Sequence, residues 1–246
     1  MNYKLIALDL DGTLLNKNKT ISAENIKWIH AAGKAGMKIT LATGRPISDV
    51  TSIVEQLEID CPLVINNGSE VWHAPGDLHS RRELSPHSVA KLFELLETNR
   101  EELDFWAHTV GGRINRTNVP ADVTTAQWLQ FAIRSSDPEQ LRTVRERIAS
   151  WNMLEISNSH VTNMECNAPG VTKASGLLEV CSIIGIEMSQ VIAIGDSLND
   201  IPMIRAAGLG VAMGNAQEPV KQAADRIAPT NLEDGVAKVI EQVLLS

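Results

Sequence analysis

Two carboxylates stand close together near the start of the chain, in the segment Asp9-Leu10-Asp11-Gly12-Thr13, directly after the apolar run Leu5 to Leu8. Side chains alternate in direction along an extended segment, so Asp9 and Asp11 can face the same site. One carboxylate can then attack phosphorus to form an aspartyl-phosphate, while the other handles the proton of the leaving group. Two turn-forming acids after a strand are the alternative, and the short pattern by itself favours that alternative.

A phosphate dianion that faces two carboxylates needs compensating positive charge and hydrogen-bond donors. Thr43-Gly44 offers a hydroxyl and a backbone amide after a second apolar run. Lys173 falls in the first turn of a predicted helix, where its ammonium adds to the positive end of the helix dipole. By itself, Thr43-Gly44 is uninformative and also fits a simple turn at the end of a strand. A lone lysine on a helix is usually an exposed surface residue.

A second acidic cluster, Gly195-Asp196-Ser197-Leu198-Asn199-Asp200, follows the apolar run Val191 to Ile194. Together with Asp9 it supplies the hard oxygen ligands that Mg²⁺ prefers, the ion keeping several waters and bridging to a substrate phosphate. A helix N-cap with acids in its first turn has the same pattern. The functional interpretation is favoured because four such signals occur in order at positions that a parallel sheet brings to one edge.

Short apolar runs alternate with helical patterns at both ends of the chain, which is typical of βαβ units and a parallel sheet. Strands are predicted at 5–8, 37–42, 63–65, 191–194, 209–213 and 226–228, and helices at 22–35, at 201–207 and from Thr230 onwards. The middle of the chain has β-like runs at 103–109 and 113–116, a hairpin pattern at 153–166, and helical patterns after Ser85 and around Val144. We therefore predict an α/β core made of residues 1–81 and 167–246, with an α+β unit inserted at 82–166.

Composition narrows the possible partners. The 246 residues include 22 Lys+Arg and 30 Asp+Glu, giving a formal charge of -8, which argues against a nucleic acid as partner. The cysteines Cys61, Cys166 and Cys181 are far apart and indicate neither a disulfide scaffold nor a zinc site. No apolar stretch is long enough for a signal peptide or a membrane-spanning helix, so we expect a cytoplasmic protein that does not bind membranes.

The four patterns resemble, in order and in residue type, the motifs of the haloacid dehalogenase superfamily and specifically of its Cof-type phosphatases (subclass IIB). They are Asp9-x-Asp11-Gly12-Thr13-Leu14-Leu15, Thr43-Gly44-Arg45, Lys173 and Gly195-Asp196-x-x-Asn199-Asp200. The resemblance implies a Rossmann-like core with a mostly parallel sheet, and an inserted α+β cap between the second and third motifs. One departure is Ala174, which stands where the family usually has a glycine after the lysine.

The same resemblance implies a role for each matching residue. Asp9 would be nucleophile and magnesium ligand, Asp11 would be general acid/base and give its backbone carbonyl to the metal, and Asp196 would be the third protein ligand. The phosphate would be held by Thr43, Gly44, Lys173 and Asn199, with Asp200 as an acid outside the metal's coordination shell. A carboxylate at position 11 resembles the phosphatases and phosphomutases, because the ion-pumping ATPases of the superfamily have threonine there.

The predicted function is a Mg²⁺-dependent phosphatase that hydrolyses small phosphomonoesters, such as sugar phosphates or related metabolites. A phosphomutase with the same core is one alternative, and a non-catalytic sensor of phosphorylated metabolites is another. Specificity is expected to lie in the inserted unit. Within it, Trp106 and Trp128 are interpreted as packing residues rather than stacking platforms, and Arg113 and Arg116 as exposed arginines rather than substrate contacts.

Overall fold

The computed structural model describes residues 3–245, and its elements are numbered in chain order. The strands are β1 (Leu5–Leu8), β2 (Lys38–Leu41), β3 (Leu63–Ile65), β4 (Glu70–Ala74), β5 (Asp77–Arg81), β6 (Asp104–Thr109), β7 (Gly112–Asn115), β8 (Trp128–Arg134), β9 (Glu155–Ser157), β10 (Asn163–Asn167), β11 (Val191–Gly195), β12 (Leu209–Ala212) and β13 (Arg226–Ile227). The helices are α1 (Ala23–Lys34), α2 (Thr51–Gln56), α3 (Pro86–Thr98), α4 (Pro138–Ala149), α5 (Lys173–Ile184), α6 (Ile201–Ala206), α7 (Glu218–Ala223) and α8 (Gly235–Leu245).

A five-stranded parallel sheet, in the order β13-β12-β11-β1-β2, joins the two ends of the chain. Its central strands β12, β11 and β1 are buried on both faces. In β1, Ile6 and Leu8 pack in one apolar cluster while Leu5 and Ala7 pack in another. Burial on both faces explains why these strands read as uninterrupted apolar runs. The predicted α/β fold with a mostly parallel sheet is therefore confirmed.

A second, antiparallel sheet has the order β7-β6-β8-β10-β9. Together with α3 and α4 it forms what we call the antiparallel unit, residues 86–167. Phe105 and Phe131 lie on the sheet face that packs against the two helices, within one apolar cluster. The opposite face carries Trp106, His108 and Glu165, all of which line a cleft between this sheet and the parallel one. The predicted fold class, an α/β core with an additional α+β part, is thus confirmed. The boundaries of the inserted unit at residues 82 and 166 stay a prediction.

The structure also contains strands β4 and β5 and helices α2 and α7, which the sequence analysis did not predict. Two further differences have a clear physical reason. The central strand of the antiparallel unit, Trp128–Arg134, was not predicted, because Gln130 interrupts its apolar run although every residue except Arg134 is buried. The last helix begins at Gly235 and not at Thr230. The backbone N–H of Thr230 does bond to Glu233 Oε2, but Asp234 has a φ of 57°, in the left-handed region, which separates that turn from the helix.

Two expectations concern disulfide bonds and membrane-spanning helices. Cys61, Cys166 and Cys181 are buried free thiols. Among residues 3–245, the structure has no helix with the length and apolar character needed to cross a membrane.

Candidate active site

Three neighbouring strands of the parallel sheet end at one edge, and each is followed by a predicted site residue. Asp9 follows β1, Thr43 lies two residues beyond β2, and Asp196 follows β11. The register pairs Leu8 with both Leu41 and Ile194, so the carboxyl ends of the three strands are level. Open α/β sheets bind ligands at this edge. A cleft of about 660 Å³ opens there, and the predicted residues that line it are Asp9, Asp11, Thr43, Gly44, Asp196 and Asn199.

The other two predicted residues, Lys173 and Asp200, lie fully buried next to this cleft. Lys173 is the first residue of α5, whose N-cap Thr172 forms a reciprocal capping box with Ser175. Its Nζ donates to Asp9 Oδ1 and to Asp200 Oδ1, each at 2.6 Å. Burial lowers the pKa of Lys173, but the two carboxylates outweigh burial and hold that pKa above its usual range. The buried lysine is therefore a permanent cation beside Asp9.

The carboxylates of Asp9, Asp196 and Asp200 lie close enough to share a cation, with one oxygen of each within 4.8 Å of the others. Asp200 is already engaged, because its Oδ2 accepts the backbone N–H groups of Asp196 and Ser197, both at 2.9 Å. Asp200 thereby positions the turn that carries Asp196. The chemistry of Asp9 and Asp196 suits a hard divalent ion, which prefers carboxylate oxygens.

Burial raises the pKa of Asp9 to about 7 and that of Asp196 to about 8, and the negative charge of Asp200 adds to both shifts. Two carboxylates that resist ionisation in a buried cluster need a cation to be charged together. Gly12 makes room for this arrangement, since its φ is 87° and a Cβ there would lie 2.3 Å from Asp196 Oδ2. The loop after β1 can therefore approach Asp196 only with glycine at this position.

We expect the metal-free protein to lose about 2 kcal/mol of stability as the pH rises from 6.5 to 8. The folded pKa of Asp9 and of Asp196 lies above the unfolded value, so the folded protein holds protons that the unfolded chain has released, and raising the pH disfavours folding. Burial lowers the pKa of His108 to about 4, so this residue makes stability rise with pH, but mainly below pH 6.5, where the unfolded histidine is protonated. Thermal melting in EDTA should show the fall, and added Mg²⁺ should stabilise more at pH 8 than at 6.5. A melting temperature that rises across the window in EDTA would contradict the assignment, and Asp196→Asn should flatten the profile.

Asp11 is held by two cations that motif spacing did not reveal. Arg45 Nε and Nη2 donate to its two carboxylate oxygens at 2.7 and 2.8 Å, and Lys19 Nζ donates to Oδ1. Burial raises the pKa of Asp11, but the bonds from Arg45 and Lys19 outweigh it and hold the pKa below its usual range. Asp11 is therefore ionised in this state. Arg45 directly follows Thr43-Gly44, so the signal in the sequence was its place beside a predicted phosphate-binding turn.

A buried polar chain connects the antiparallel unit to Asn199. Glu165 on β10 accepts from Asn67 Nδ2 at 2.7 Å, and Asn67 Oδ1 accepts from Asn199 Nδ2 at 3.1 Å. Ser159 also donates to Glu165, whose pKa is raised by burial. Asn67 sits in the left-handed region with a φ of 57°, which asparagine tolerates better than most residues. Neither Asn67 nor Glu165 is among the site residues that the sequence predicted.

The fold and the cleft define a class of α/β proteins that carry acidic side chains at the carboxyl ends of parallel strands, and comparison with known proteins identifies the family. Residues 6–240 match the family of haloacid dehalogenase-like hydrolases. The chain is 42% identical over 245 residues to the 5-amino-6-(5-phospho-D-ribitylamino)uracil phosphatase YcsE of Bacillus subtilis (strain 168), covering 100% of this chain and 97% of that relative. It is 30% identical over 276 residues to the pyridoxal phosphate phosphatase YbhA of Escherichia coli (strain K12), covering 100% of both proteins.

A solved structure gives the same result. The subclass IIB sugar phosphatase BT4131 superposes with a TM-score of 0.85 at 25% identity, over 99% of this chain and 100% of that one. The chain therefore belongs to the haloacid dehalogenase-like hydrolases, and the predicted resemblance to Cof-type phosphatases is confirmed. It is a phosphatase whose relatives act on small phosphorylated molecules.

Proposed function

We propose that this protein is a Mg²⁺-dependent phosphatase that hydrolyses small phosphomonoesters through an aspartyl-phosphate on Asp9. The observation that carries the proposal is the buried cluster beside the cleft, in which the Lys173 ammonium contacts Asp9 and Asp200. An oxygen of Asp196 lies within 4.8 Å of an oxygen of each of these two aspartates, close enough for a shared metal ion. A nucleophilic carboxylate and a fixed cation at the end of a central strand match the requirements of phosphoryl transfer.

In the first step, an oxygen of Asp9 forms a bond to phosphorus while the bond from phosphorus to the ester oxygen breaks. Arg45 and Lys19 hold Asp11 ionised in this state, so Asp11 must first leave these two cations and take up a proton from solvent. It then gives that proton to the departing oxygen, and the product is a neutral alcohol. In the second step, Asp11 takes a proton from water, and the resulting hydroxide attacks phosphorus and releases Asp9 and inorganic phosphate. Thr43, Gly44, Lys173 and Asn199 hold the phosphate, and Asp200 keeps the Asp196 turn and Lys173 in place.

Asp9, Asp196 and the backbone carbonyl of Asp11 would hold Mg²⁺. When bound, the ion supplies charge that binds and neutralises phosphate oxygens in the transition state. The raised pKa values of the two carboxyl groups support this ligand set, since both groups are hard to ionise without added positive charge.

The antiparallel unit faces the cleft with Trp106, His108, Arg113 and Glu165, and we propose that it acts as the cap that reads the leaving group. Together with the core, residues 1–81 and 167–246, it would form the predicted two-part enzyme with the cap at 82–166. The substrates would be sugar phosphates or related phosphorylated metabolites, including esters like those named for YcsE and YbhA. We further expect a cytoplasmic location, where such metabolites occur.

Phosphate release from a panel of phosphorylated metabolites, measured with Mg²⁺ and with EDTA, tests the proposal. Hydrolysis of several phosphomonoesters that stops on chelation is the expected result. Little phosphate release without a sugar bisphosphate activator would indicate a phosphomutase instead. Binding of phosphate esters without any turnover, including of p-nitrophenyl phosphate, would indicate a sensor and would overturn the proposal.

Replacing Asp11 with asparagine should slow steady-state hydrolysis by about a hundredfold or more, since general acid–base catalysis contributes roughly that factor. Nitrophenol is a good leaving group that needs no proton, so this variant should still form the aspartyl-phosphate from p-nitrophenyl phosphate. Rapid mixing should therefore show a burst of about one nitrophenol per enzyme, followed by slow turnover. Asp49→Asn, which changes another acid of the same cleft, serves as control and should turn over without a burst.

A further inference from the structure

We propose that Trp106 and Arg113 form a leaving-group subsite that selects phosphomonoesters whose alcohol portion carries a planar ring with carbonyl groups. The inference rests on the proposed phosphatase activity and deepens it by naming the substrate class. It assigns to two residues a role that the sequence did not favour for either.

Trp106 is placed differently from the other aromatic residues of its sheet. On β6 its neighbours Phe105 and Ala107 point into the apolar cluster beneath α3 and α4, so Trp106 points to the opposite face. There it is only partly buried and lines the cleft. Trp128, in contrast, is 1% exposed within the apolar cluster, and its Nε1 donates to the carbonyl of Val123 at 2.6 Å. The packing prediction is thus confirmed for Trp128, and Trp106 presents an aromatic surface to a cleft lined mainly by polar and charged side chains.

Arg113 is the cation that remains available in this cleft. It lies on β7 opposite His108, with its guanidinium carbon 5.8 Å from the centre of the Trp106 ring. Within residues 3–245 its guanidinium forms no ion pair, whereas Arg45 and Lys19 are both engaged by Asp11.

Arg116, three residues further along the chain, makes its contacts elsewhere. It donates to the carbonyl oxygens of Arg100 and Leu103 and pairs with Asp104, outside the cleft. The two arginines therefore differ in function: Arg116 supports the fold of the antiparallel unit, and Arg113 faces the space where a leaving group would lie.

An indole ring with a guanidinium over it recognises a particular chemistry. Both are flat and stack on planar rings, and the guanidinium also donates hydrogen bonds in its plane. A ring with carbonyl oxygens satisfies both residues at once, while a ring-free polyol gains nothing from the Trp106 face. An anionic tail would use Arg113 alone and would not depend on Trp106, so the two chemistries can be separated.

Two matched pairs of esters test the inference: uridine 5′-monophosphate against ribose 5-phosphate, and riboflavin 5′-phosphate against D-ribitol 5-phosphate. The members of each pair share the phosphate and the five-carbon sugar or polyol. Only the first member of each pair carries a planar ring with carbonyl groups, and it is called the ring-bearing ester below. We expect kcat/KM to favour the ring-bearing member in at least one pair, and Trp106→Ala to reduce that ratio about tenfold. The loss should fall mainly on KM of the ring-bearing ester, Trp106→Phe should recover part of it, and Arg113→Gln should also lower the ratio.

Trp151→Ala is the matched control, because Trp151 also has a cation over its ring, Lys91 at 4.7 Å, but packs against the helical side of the antiparallel unit. It should leave the ratio unchanged. The inference is overturned if ring-free esters are used equally well in both pairs, if Trp106→Ala lowers both members alike, or if only an acidic ester such as 3-phosphoglycerate responds, and only to Arg113→Gln. Failure to release phosphate from any ester, including p-nitrophenyl phosphate, would instead overturn the proposed function itself.

Discussion

Asp9→Asn should reduce phosphate release by at least about a thousandfold, because an amide cannot form the aspartyl-phosphate and removal of a nucleophile has effects of this size or larger. Asparagine has nearly the same shape as aspartate, and its carbonyl can still accept from Lys173 Nζ, which lies 2.6 Å from Asp9 Oδ1. The variant should therefore fold.

The same variant should also differ from the wild type in thermal stability and in its response to Mg²⁺. Burial raises the pKa of Asp9 to about 7, so a neutral amide there removes a group that costs stability when it ionises. In EDTA at pH 8 we expect the melting temperature of Asp9→Asn to equal or exceed that of the wild type, while the stabilisation by Mg²⁺ largely disappears. Phosphate release and melting with and without Mg²⁺ measure both effects, with Asp49→Asn as the control in the same cleft. More than a tenth of the wild-type activity remaining in Asp9→Asn would exclude this residue as nucleophile.

Lys173→Met should lower both activity and stability. The side chain is fully buried and is the common ion-pair partner of Asp9 and Asp200. Removing one member of a buried charge network costs about 3–5 kcal/mol, because the remaining charges are left uncompensated. Phosphate release should fall by about a hundredfold or more, since a fixed cation that stabilises transferring phosphate is also lost.

The stability loss in Lys173→Met should depend on pH. Without the ammonium, the pKa of Asp9 rises further above its unfolded value, so the carboxyl stays protonated at low pH and the loss is smallest there. As the pH rises through the pKa of Asp9 in the folded wild type, about 7, the loss of stability in the variant should grow. Denaturant unfolding in EDTA at pH 6 and pH 8 measures the difference, and a loss that is larger at pH 6 would contradict this account.

Two further variants separate the charge effect from a general packing defect. Lys173→Met combined with Asp200→Asn removes one cation and one anion, so it should recover part of the stability at pH 8 but none of the activity. Lys19→Met removes an exposed cation from Asp11, with 65% of the lysine side chain exposed, and should have little effect on stability. Equal destabilisation by both single lysine variants would show that burial of Lys173 is not the cause.

Local rules in the sequence predicted the parts of the fold that depend on neighbouring residues. Ser85, the predicted helix start, caps α3 through its side-chain oxygen, because such a cap needs only the next three residues. Strands β1, β3 and β11 were predicted closely, since strands buried on both faces are continuous apolar runs. Strand β8 was not predicted, because its polar residue Gln130 is buried by residues from other parts of the chain.

For the site, too, local patterns predicted the residues at the ends of elements but not the contacts between distant parts of the chain. Asp9, Asp11, Thr43, Lys173 and Asp196 were predicted as a group because each stands at the end of an element, and a parallel sheet brings such ends to one edge. The contact between Asn67 and Glu165 spans 98 positions and has no local pattern. Trp106 and Trp128, or Arg113 and Arg116, are equivalent by composition and become different only through the sheet face and direction that each side chain takes.

The sequence by itself determined the class of this protein: an α/β phosphatase of the haloacid dehalogenase type, since residue types and their order along the chain are enough to define that chemistry. Only the tertiary structure decided which charges meet. It buried Lys173 between two aspartates, paired Arg45 with Asp11 and left Arg113 facing the cleft. The physical reason is that pKa values, ion pairs and exposure depend on distances in space and on access of water, and residues far apart in sequence determine both.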